Sequence, residues 1–523
     1  MKVLVADEIS KNGIEMLKSQ GYHVDVKLGL KEDELVKIMG GYDVLLVRSA
    51  TKATRKVIEA AKNLKVIGRA GIGVDNIDVE AATERGVLVM NAPSGNVIST
   101  AELTMGLIFA LARRIPQADA SMKKGEWKRK EMKGSQVQGK VLGIIGLGRV
   151  GAEVAKRGSA LGMTVIAYDP LVSPEVGIRL HVRLLALDRL LAESDVVTVH
   201  TPLTAQTKDM LGKNELAMMK KSAVLINCAR GGIVNEEALF ETLSQGKIAG
   251  AALDVFDKEP PTGSKLLSLP NVVLTPHLGA TTMEAQEEVG SEIAEQVIAY
   301  MKDNVLKNAV NLPAKLDPEI APYMPLAEKL GTLVSQLGMA RAGKVEISCR
   351  GDLAQKDIRI VTACVLTGLL RPMSEEYNVN YINALAMSKA RGIEVVSSTS
   401  DESGGYKNLI KVSLSENGKT LSVSGALLPE KGARVVEIDG HTVDIEPEGN
   451  FLLIGHVDKP GMIGKVGTVL GNNDVNIASM EVARDKARGP AMMILHLDDE
   501  LKPDVLQKVR SIPDLKSAIS IKL

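Results

Sequence analysis

The chain has 523 residues, of which 45% are hydrophobic and 24% charged, and its 64 basic and 64 acidic residues leave a formal net charge of zero. At about 100–200 residues per domain, this length predicts three or four soluble globular domains. The zero net charge argues against nucleic acid or an anionic membrane as the main partner, and the 2% aromatic content argues against base stacking.

The three cysteines are widely spaced and form no CxxC pair. This pattern fits neither a disulfide framework nor a cysteine-rich zinc site, and we expect no metal. The opening segment MKVLVADE reaches acidic residues too early for a secretory leader. No apolar run approaches the ~18–20 residues that cross a bilayer. We therefore expect a cytoplasmic protein.

Two series of short apolar runs, separated by helix-length stretches, occupy the first half of the chain. The first series comprises 2–7, 23–26, 43–49, 65–71 and 87–93. The second follows a helix-like stretch at 98–114 and comprises 141–146, 163–169, 195–200, 223–228, 250–256 and 272–276. Such alternation predicts parallel sheets with crossover helices. We expect two doubly wound α/β domains, flavodoxin-like and Rossmann-type, with a cleft between them.

A long amphipathic stretch, 282–303, is expected to cross back to the first domain. The first domain would then comprise 1–97 and 282–306, and the second 98–281. Residues 307–323 are rich in Pro and Asn and predict a linker.

The last part of the chain predicts two further units. Alternating polarity around Asn417-Gly418 indicates a hairpin, so 324–447 is interpreted as an α+β domain. From residue 451 to residue 523 the order of elements is βαββαβ, which is typical of a ferredoxin-like unit.

The segment GLGRVG directly follows the run VLGIIG and begins a helix. Gly146 permits a tight turn, Gly148 lets the backbone approach a pyrophosphate, and Gly151 allows close packing of helix on strand. The N-terminus of the helix offers unpaired N–H groups and a positive dipole end to the phosphates of the cofactor. Asp169, at the end of the next strand, is placed to bind ribose hydroxyls and to repel a 2′-phosphate, which favours NAD over NADP. A glycine turn selected only for packing is the alternative.

Three successive strand ends carry Arg230, Glu259 and His277, at the same sheet edge as the glycine loop. Oxidation of a carbinol needs a base for the hydroxyl proton, and imidazole suits this task near neutrality. A carboxylate on the far ring nitrogen stabilises the imidazolium, and an arginine binds a substrate carboxylate. Each residue also has a plainer interpretation. Arg230 alone fits a surface arginine, Glu259 a solvated loop acid, and His277 a structural histidine.

The motifs GLGRVG, HTPLTAQT, INCARGGIVNEEAL, ALDVFDKEP and LTPHLGA resemble those of the D-isomer-specific 2-hydroxyacid dehydrogenase family. The resemblance implies that Arg230, Glu259 and His277 are catalytic. It also implies cofactor contacts from Arg149, Val150, Asp169, Thr201, Cys228, Ala229, Asp254, Gly279 and Ala280.

The chain looks more similar still to the long-form branch of that family that oxidises 3-phosphoglycerate, through VRSATKAT, GRAGIGVDNID, NAPSGN and SMKKGEWKRKEMKG. Two strand-end arginines, Arg48 and Arg69, suit a phosphate, although ion pairing across the sheet is an alternative. We expect weaker contacts from Ser49, Gly71 and Asn91. Arg129 is expected to complete the site from a neighbouring subunit of a homodimer or homotetramer, unless 123–133 is a solvated charge run.

Residues 455–482 resemble an ACT domain, a sensor of amino acids. The resemblance implies that His456, Asp458 and Asn476 bind L-serine, although related sites often carry Asn where Asp458 stands. A unit that serves oligomerisation alone is the alternative. For the whole chain, two other functions remain open: a reductase of glyoxylate or hydroxypyruvate, and a dinucleotide-sensing regulator that acts by binding a partner.

Overall fold

The computed structural model describes residues 1–338, 343–373, 379–416, 418–484 and 486–523. The strands of the first sheet, β1 to β5, are Lys2–Val5, His23–Val26, Val44–Val47, Val66–Arg69 and Leu88–Asn91. The helices that cross between them, α1 to α4, are Lys11–Ser19, Glu32–Met39, Arg55–Ala60 and Val79–Glu84. All pairings are parallel and the order is β2-β1-β3-β4-β5, which confirms the flavodoxin-like topology.

The strands are shorter than the apolar runs because the chain leaves the sheet where polar residues begin. All four residues of β3 are buried, and the predicted run continued for two residues beyond Val47. At Arg48 the backbone N–H donates to the carboxylate of Asp7, 2.6 Å away, and no longer follows the strand. The turn places Arg48 and Ser49 at the carboxyl edge, beside the point where the strand order reverses. Doubly wound sheets bind their ligands at this point.

The second sheet has seven parallel strands. They are β6 to β12, at Val141–Ile145, Thr164–Tyr168, Arg183–Leu184, Val196–Val199, Val224–Asn227, Gly250–Leu253 and Val272–Leu274. The helices α5 to α11 are Val97–Arg113, Ile115–Lys123, Arg149–Ala160, Pro174–Leu180, Leu187–Glu193, Lys213–Ala217 and Glu236–Ser244. The order β12-β11-β10-β9-β6-β7-β8 is that of a Rossmann fold, as predicted. The sequence did not predict β8, which has two residues.

One long helix returns the chain to the first sheet. It is α12, Met283–Asp303, and it packs on α1, β4 and β5. The segment predicted as a linker, 307–323, begins with residues that are bonded to the first sheet. Ala309 forms a bridge to Met90 of β5, and the Asn311 side chain accepts from the N–H of Val89 at 2.9 Å and donates to the carbonyl of Val87 at 2.8 Å. The linker thus starts as an extension of the first sheet.

The third sheet is mixed and confirms the predicted α+β unit. Its strands β13 to β18 are Lys344–Gly351, Glu394–Ser400, Asn408–Glu416, Lys419–Leu428, Gly432–Ile438 and His441–Ile445. The helices α13 to α15 are Met324–Gln336, Arg359–Leu370 and Ala384–Ala390. Strands β15 and β16 form the predicted hairpin, with Glu416 opposite Lys419. Asn417 of the predicted turn lies outside the described residues, whereas Gly418 has a φ of 79°.

The fourth sheet has the predicted βαββαβ order. Its strands β19 to β22 are Asn450–Val457, Ile477–Arg484, Pro490–Leu497 and Leu515–Lys522, and its helices α16 and α17 are Met462–Gly471 and Pro503–Arg510. The strands pair antiparallel in the order β20-β21-β19-β22, which is the ferredoxin-like arrangement. Throughout the described ranges, no helix is both long and apolar enough to traverse a membrane.

Helices α13 and α14 approach closely through glycines. A Cβ added at Gly368 would lie 1.9 Å from the carbonyl oxygen of Glu328, and one at Gly331 would lie 2.0 Å from that of Val365. We expect Gly368→Ala to force the helices apart, destabilise this unit by about 1–3 kcal/mol and lower its Tm in calorimetry. The control is Gly467→Ala in α16, where an added Cβ meets nothing within 4 Å. A Gly368→Ala protein as stable as the wild type would contradict this packing.

Candidate active site in the interdomain cleft

A cleft of about 480 Å³ lies between the carboxyl edges of the first and second sheets. One wall consists of loops that follow β3 and β4, and the other of loops that follow β10, β11 and β12. The cleft brings together most of the predicted catalytic and substrate residues and several predicted cofactor residues. Those that line it are Arg48, Ser49, Arg69, Gly71, Cys228, Arg230, Asp254, Glu259, His277, Gly279 and Ala280.

His277 and Glu259 form a hydrogen-bonded pair in the cleft wall, with Nδ1 of His277 2.7 Å from Oε2 of Glu259. The other carboxylate oxygen accepts from the N–H of Phe256 at 3.2 Å. Burial tends to raise the pKa of Glu259, but the hydrogen bond and charge of His277, the Phe256 amide and the charge of Arg230 hold that pKa below its usual value. The carboxylate is therefore ionised around neutrality, and Nε2 is the ring nitrogen left to exchange a proton with a ligand.

A buried carboxylate shapes the loop that carries His277. Asp254 is fully buried and accepts from the N–H of Leu278 at 2.7 Å, the N–H of Gly279 at 2.9 Å and the hydroxyl of Thr275 at 2.6 Å. Burial raises its pKa in spite of these bonds. The N–H of His277 donates to the Asp254 carbonyl, and His277 has a left-handed φ of 55°. Such a conformation persists where surrounding contacts fix it, often at active sites.

Arg230 reaches from the second sheet towards the first. Asn227, at the end of β10, accepts from the N–H of Ala229 at 3.0 Å and donates to the carbonyl of Arg230 at 2.9 Å, which closes a tight turn. The guanidinium donates through Nη1 to the carbonyl of Ala229, and its Nε lies 3.2 Å from Oδ2 of Asp75, which follows β4. Arg230 thus lies across the cleft in an ion pair between the two sheets.

Three guanidinium groups line this cleft together with the carboxylates of Asp254 and Glu259, and Asp75 lies beside one of them. The pKa of Arg69 is lowered to about 10, mainly by burial. The charges of Arg230 and Arg48 also lower this pKa, whereas the charge of Asp75 raises it. Arg48 also crosses the cleft, since its Nη2 donates to the carbonyl of Ala280 at 3.2 Å. Like charges crowded in this way favour an anionic ligand that can accept from several of them.

The glycine loop has the geometry of a pyrophosphate cradle. Gly146 has a φ of 93°, and a Cβ on Gly151 would lie 2.1 Å from the Gly146 carbonyl oxygen, so this turn requires glycine. Gly148 caps α7 without a side chain, and a Cβ there would meet no protein atom within 4 Å. The helix begins at Arg149 and Val150. Its first N–H groups are therefore oriented for an anion on the open side of the loop.

Two further predicted residues fit a bound NAD. Asp169 follows β7 and accepts from the N–H groups of Leu147 at 2.8 Å and Leu171 at 2.9 Å, so the glycine loop is tied to the predicted ribose carboxylate. The hydroxyl of Thr201 is buried and has no partner among the described residues. A bound group would satisfy it. Neighbouring His200 bonds to Thr198, and burial lowers its pKa to about 3, so it stays neutral.

The structure does not place all predicted residues in the cleft. Asn91 is not among the residues that line the cleft, and its Nδ2 donates to the carbonyl of Ile72, which does line it. Arg129 is exposed, outside the residues that line the cleft, and its role from a neighbouring subunit stays a prediction. Sequence reasoning missed Asn96, which lines the cleft with a buried Oδ1 that has no partner in the described part of the chain. The motif NAPSGN contains both asparagines, and their spacing alone does not tell which one faces the ligand.

The fourth unit has its own cavity, of about 450 Å³, which is lined by His456 and Asp458. His456 is 2% exposed, and its Nε2 is buried with no partner in the described ranges. The carboxylate of Asp458 accepts from Nη1 of Arg484 at 2.7 Å and from the N–H of Arg488 at 3.1 Å. Chiefly through Arg484, these bonds lower the pKa of Asp458.

Asn476 does not join that cavity within one chain. It precedes β20, whereas Arg484 ends β20, and its side chain donates to Asp498 at 2.6 Å. At about 3.3 Å per strand residue, the two ends of the eight-residue β20 are more than about 20 Å apart. A serine site that uses His456, Asp458 and Asn476 together therefore requires two chains.

Family models match three parts of the chain. Residues 105–279 match the model described as D-isomer specific 2-hydroxyacid dehydrogenase, NAD binding domain. Residues 319–439 match the D-3-phosphoglycerate dehydrogenase intervening domain, and residues 451–514 match the ACT domain. The three matches follow the order of the second, third and fourth sheets.

The chain also matches relatives over its full length. The chain is 46% identical to D-3-phosphoglycerate dehydrogenase of Methanocaldococcus jannaschii over 100% of both chains. It is 43% identical to the enzyme of the same name from Bacillus subtilis over 100% of this chain and 99% of the relative. Among solved structures, a protein of Thermus thermophilus is 38% identical with a TM-score of 0.55, covering 59% of this chain and 100% of its own.

Proposed function

Because the chain belongs to the D-3-phosphoglycerate dehydrogenase family, we propose that its cleft oxidises 3-phospho-D-glycerate to 3-phosphohydroxypyruvate with NAD, the first step of serine synthesis. The observation that carries this proposal is the pairing of His277 with Glu259 in a cleft shared by three guanidinium groups. A proton acceptor and guanidinium donors for both anionic ends are what the oxidation of a doubly anionic 2-hydroxy acid requires.

His277 is the proposed proton acceptor. Oxidation at C2 removes a proton from the hydroxyl oxygen and a hydride from carbon. Nε2 of His277 takes the proton, while Glu259, 2.7 Å from Nδ1, fixes the ring and stabilises the imidazolium. NAD, when bound, supplies the hydride acceptor, and the glycine loop, Asp169 and Thr201 would hold it.

The arginines bind the two anionic ends of the substrate. Arg230, on the same wall as His277, is placed to take the carboxylate and to polarise the C2 oxygen. Arg48 and Arg69 come from the opposite wall and are placed to take the phosphate, with Ser49 beside them. Since carboxylate and phosphate are separated by two carbons, binding from both walls fixes C2 between them.

The same proposal covers the regulation, the oligomeric state and the location of the protein. We assign the ACT domain cavity at His456 and Asp458 to L-serine, with Asn476 supplied by a second chain of a homodimer or homotetramer. The three cysteines are free and buried, which agrees with a cytoplasmic location.

The proposal is tested by NADH formation with purified protein and 3-phosphoglycerate, with and without L-serine. Parallel assays use D-glycerate, and glyoxylate and hydroxypyruvate with NADH. We expect the highest kcat/KM for 3-phosphoglycerate. A higher value for the unphosphorylated acids would assign the chain to glyoxylate or hydroxypyruvate reduction. The absence of turnover with every acid would instead favour a dinucleotide-sensing regulator.

Arg48→Ala is expected to raise the KM for 3-phosphoglycerate by about tenfold or more, because a hydrogen bond to a charged group contributes about 1.5–3 kcal/mol. The Kd of NAD should change far less, since Arg48 lies on the opposite wall from the glycine loop and its removal costs the cofactor side one bond, to the carbonyl of Ala280. The control is Arg189→Ala, which removes an exposed ion pair with Glu193 on α9. An unchanged KM in Arg48→Ala would refute the phosphate role.

A further inference from the structure

Asn76, in the loop after β4, joins the two arginines of the proposed phosphate site. Its Nδ2 donates to the carbonyl of Arg48 at 2.8 Å and to that of Thr51 at 2.6 Å. Its Oδ1 accepts from Nε of Arg69 at 3.2 Å. One amide side chain therefore contacts the backbone of the turn that carries Arg48 and the guanidinium of Arg69.

Asp7 holds the same turn from the other side. Its carboxylate accepts from the N–H of Arg48 at 2.6 Å, and from the N–H and hydroxyl of Thr51 at 3.0 Å and 2.6 Å. Asp7 thus binds the donors of this turn, and Asn76 binds its carbonyls. The turn is fixed at both ends, and Asn76 also sets the position of Arg69 relative to it.

The adjacent residue, Asp75, contacts the third guanidinium, since its Oδ2 lies 3.2 Å from Nε of Arg230. The loop accommodates this approach at Gly73, where an added Cβ would lie 2.1 Å from Nη2 of Arg230. Nε and Nη1 of Arg230 are engaged by Asp75 and by the Ala229 carbonyl. We assign Nη2 and the second N–H of Nη1 to a substrate carboxylate.

We propose that the dipeptide Asp75-Asn76 is a positioning element that sets the spacing between the two anion-binding ends of the cleft. Asn76 acts through Arg48 and Arg69 on the phosphate end, and Asp75 acts through Arg230 on the carboxylate end. Specificity for a phosphorylated three-carbon acid then depends on this loop as well as on the arginines. The inference rests on the proposed function.

The physical need for such an element follows from the arginines themselves. Three like charges in one cleft repel one another, and each side chain has about 2 kcal/mol of rotamer entropy to lose on binding. A ligand gains affinity when these groups are held in place before it arrives. Asn76 holds Arg69 without adding a further negative charge to the phosphate end, where the Asp7 carboxylate already binds the turn. Asp75 offsets one charge at the carboxylate end, where a single guanidinium is used.

The test compares Asn76→Ala and Asp75→Asn with 3-phosphoglycerate and with D-glycerate, which lacks the phosphate. In Asn76→Ala we expect kcat/KM for 3-phosphoglycerate to fall about tenfold, mainly through KM, and that for D-glycerate to change less than about threefold. In Asp75→Asn we expect kcat/KM to fall by similar factors for both acids, because both carry the carboxylate. Equal losses for both acids in Asn76→Ala, or none, would overturn the proposal.

Two further measurements separate positioning from folding. The Kd of NAD and the Tm are expected to stay near wild-type values, whereas a general loss of structure would change both. If Asn76→Ala does not fold, Asn76→Gln replaces it, because the longer side chain keeps the neutral amide but displaces it from Arg69 and from the carbonyls of Arg48 and Thr51. Loss of phosphate preference in Asn76→Gln would support the proposal, and an unchanged preference would count against it.

The outcome for the wild type distinguishes the two proposals. A wild-type protein with no preference for 3-phosphoglycerate over D-glycerate would refute the proposed function itself. A wild-type preference that survives in Asn76→Ala would refute the positioning role alone.

Discussion

His277→Ala is expected to lower kcat for 3-phosphoglycerate by about 10²–10⁴-fold, the usual contribution of a positioned general acid or base. The Kd of NAD should stay close to the wild-type value, because the glycine loop and Asp169 lie on other elements. Stopped-flow or steady-state NADH formation measures the rate, and quenching of protein fluorescence or calorimetry measures NAD binding. Near-normal turnover in this variant would reject His277 as the proton acceptor.

A matched control is available in the same half of the chain. His181 is exposed and has a φ of 54°, almost the same as the 55° of His277. His181→Ala thus imposes the same left-handed backbone on alanine without touching the cleft. We expect its kcat to equal that of the wild type. A comparable loss of kcat in both variants would attribute the effect to backbone strain and not to the imidazole.

The carboxylate beside His277 sets a lower pH limit for this arrangement. The pKa of Glu259 lies below its usual value, so its stabilising contribution is fully present above the ordinary carboxyl range. That contribution is lost as the pH falls through the depressed value. Around neutrality Glu259 is therefore charged, as the proposed role of His277 as proton acceptor requires.

Sequence patterns predicted the sheets and the strand ends because both depend on local chemistry. A buried parallel strand needs a continuous apolar run, and the chain turns where that run stops, as at Val47 and Asn227. Arg230, Glu259 and His277 each follow such a run, so their convergence at one edge could be predicted from topology alone. The two residues of β8 leave no such run to detect.

Side-chain directions beyond the strand ends could not be predicted, because they depend on tertiary hydrogen bonds. Asn91 was expected in the cleft but bonds to the Ile72 carbonyl, while Asn96, five residues later, lines the cleft. Asn311 anchors a segment that its composition presents as a linker. The amides of Asn91 and Asn311 bond to backbone groups that are distant in sequence, and no periodicity records such partners.

Arg230→Ala is expected to reduce kcat/KM by about 10²-fold or more for 3-phosphoglycerate and D-glycerate alike. Removal of one partner from a hydrogen-bonded charge pair costs about 2–5 kcal/mol, and both substrates carry the carboxylate. The kcat/KM of Arg230→Lys should lie between those of Arg230→Ala and the wild type, because lysine restores the charge without the planar guanidinium. A value within about threefold of the wild type in Arg230→Ala would place the carboxylate elsewhere.

The same variant shows whether Asp75 acts through Arg230. The two side chains are 3.2 Å apart, so their effects should be coupled. If Asp75 only positions the guanidinium, Asp75→Asn has no further effect once Arg230 is alanine, and the double variant equals Arg230→Ala in kcat/KM. Additive losses would mean that Asp75 meets the substrate or the fold independently. The double-mutant cycle thus separates a residue that touches the ligand from one that orients its neighbour.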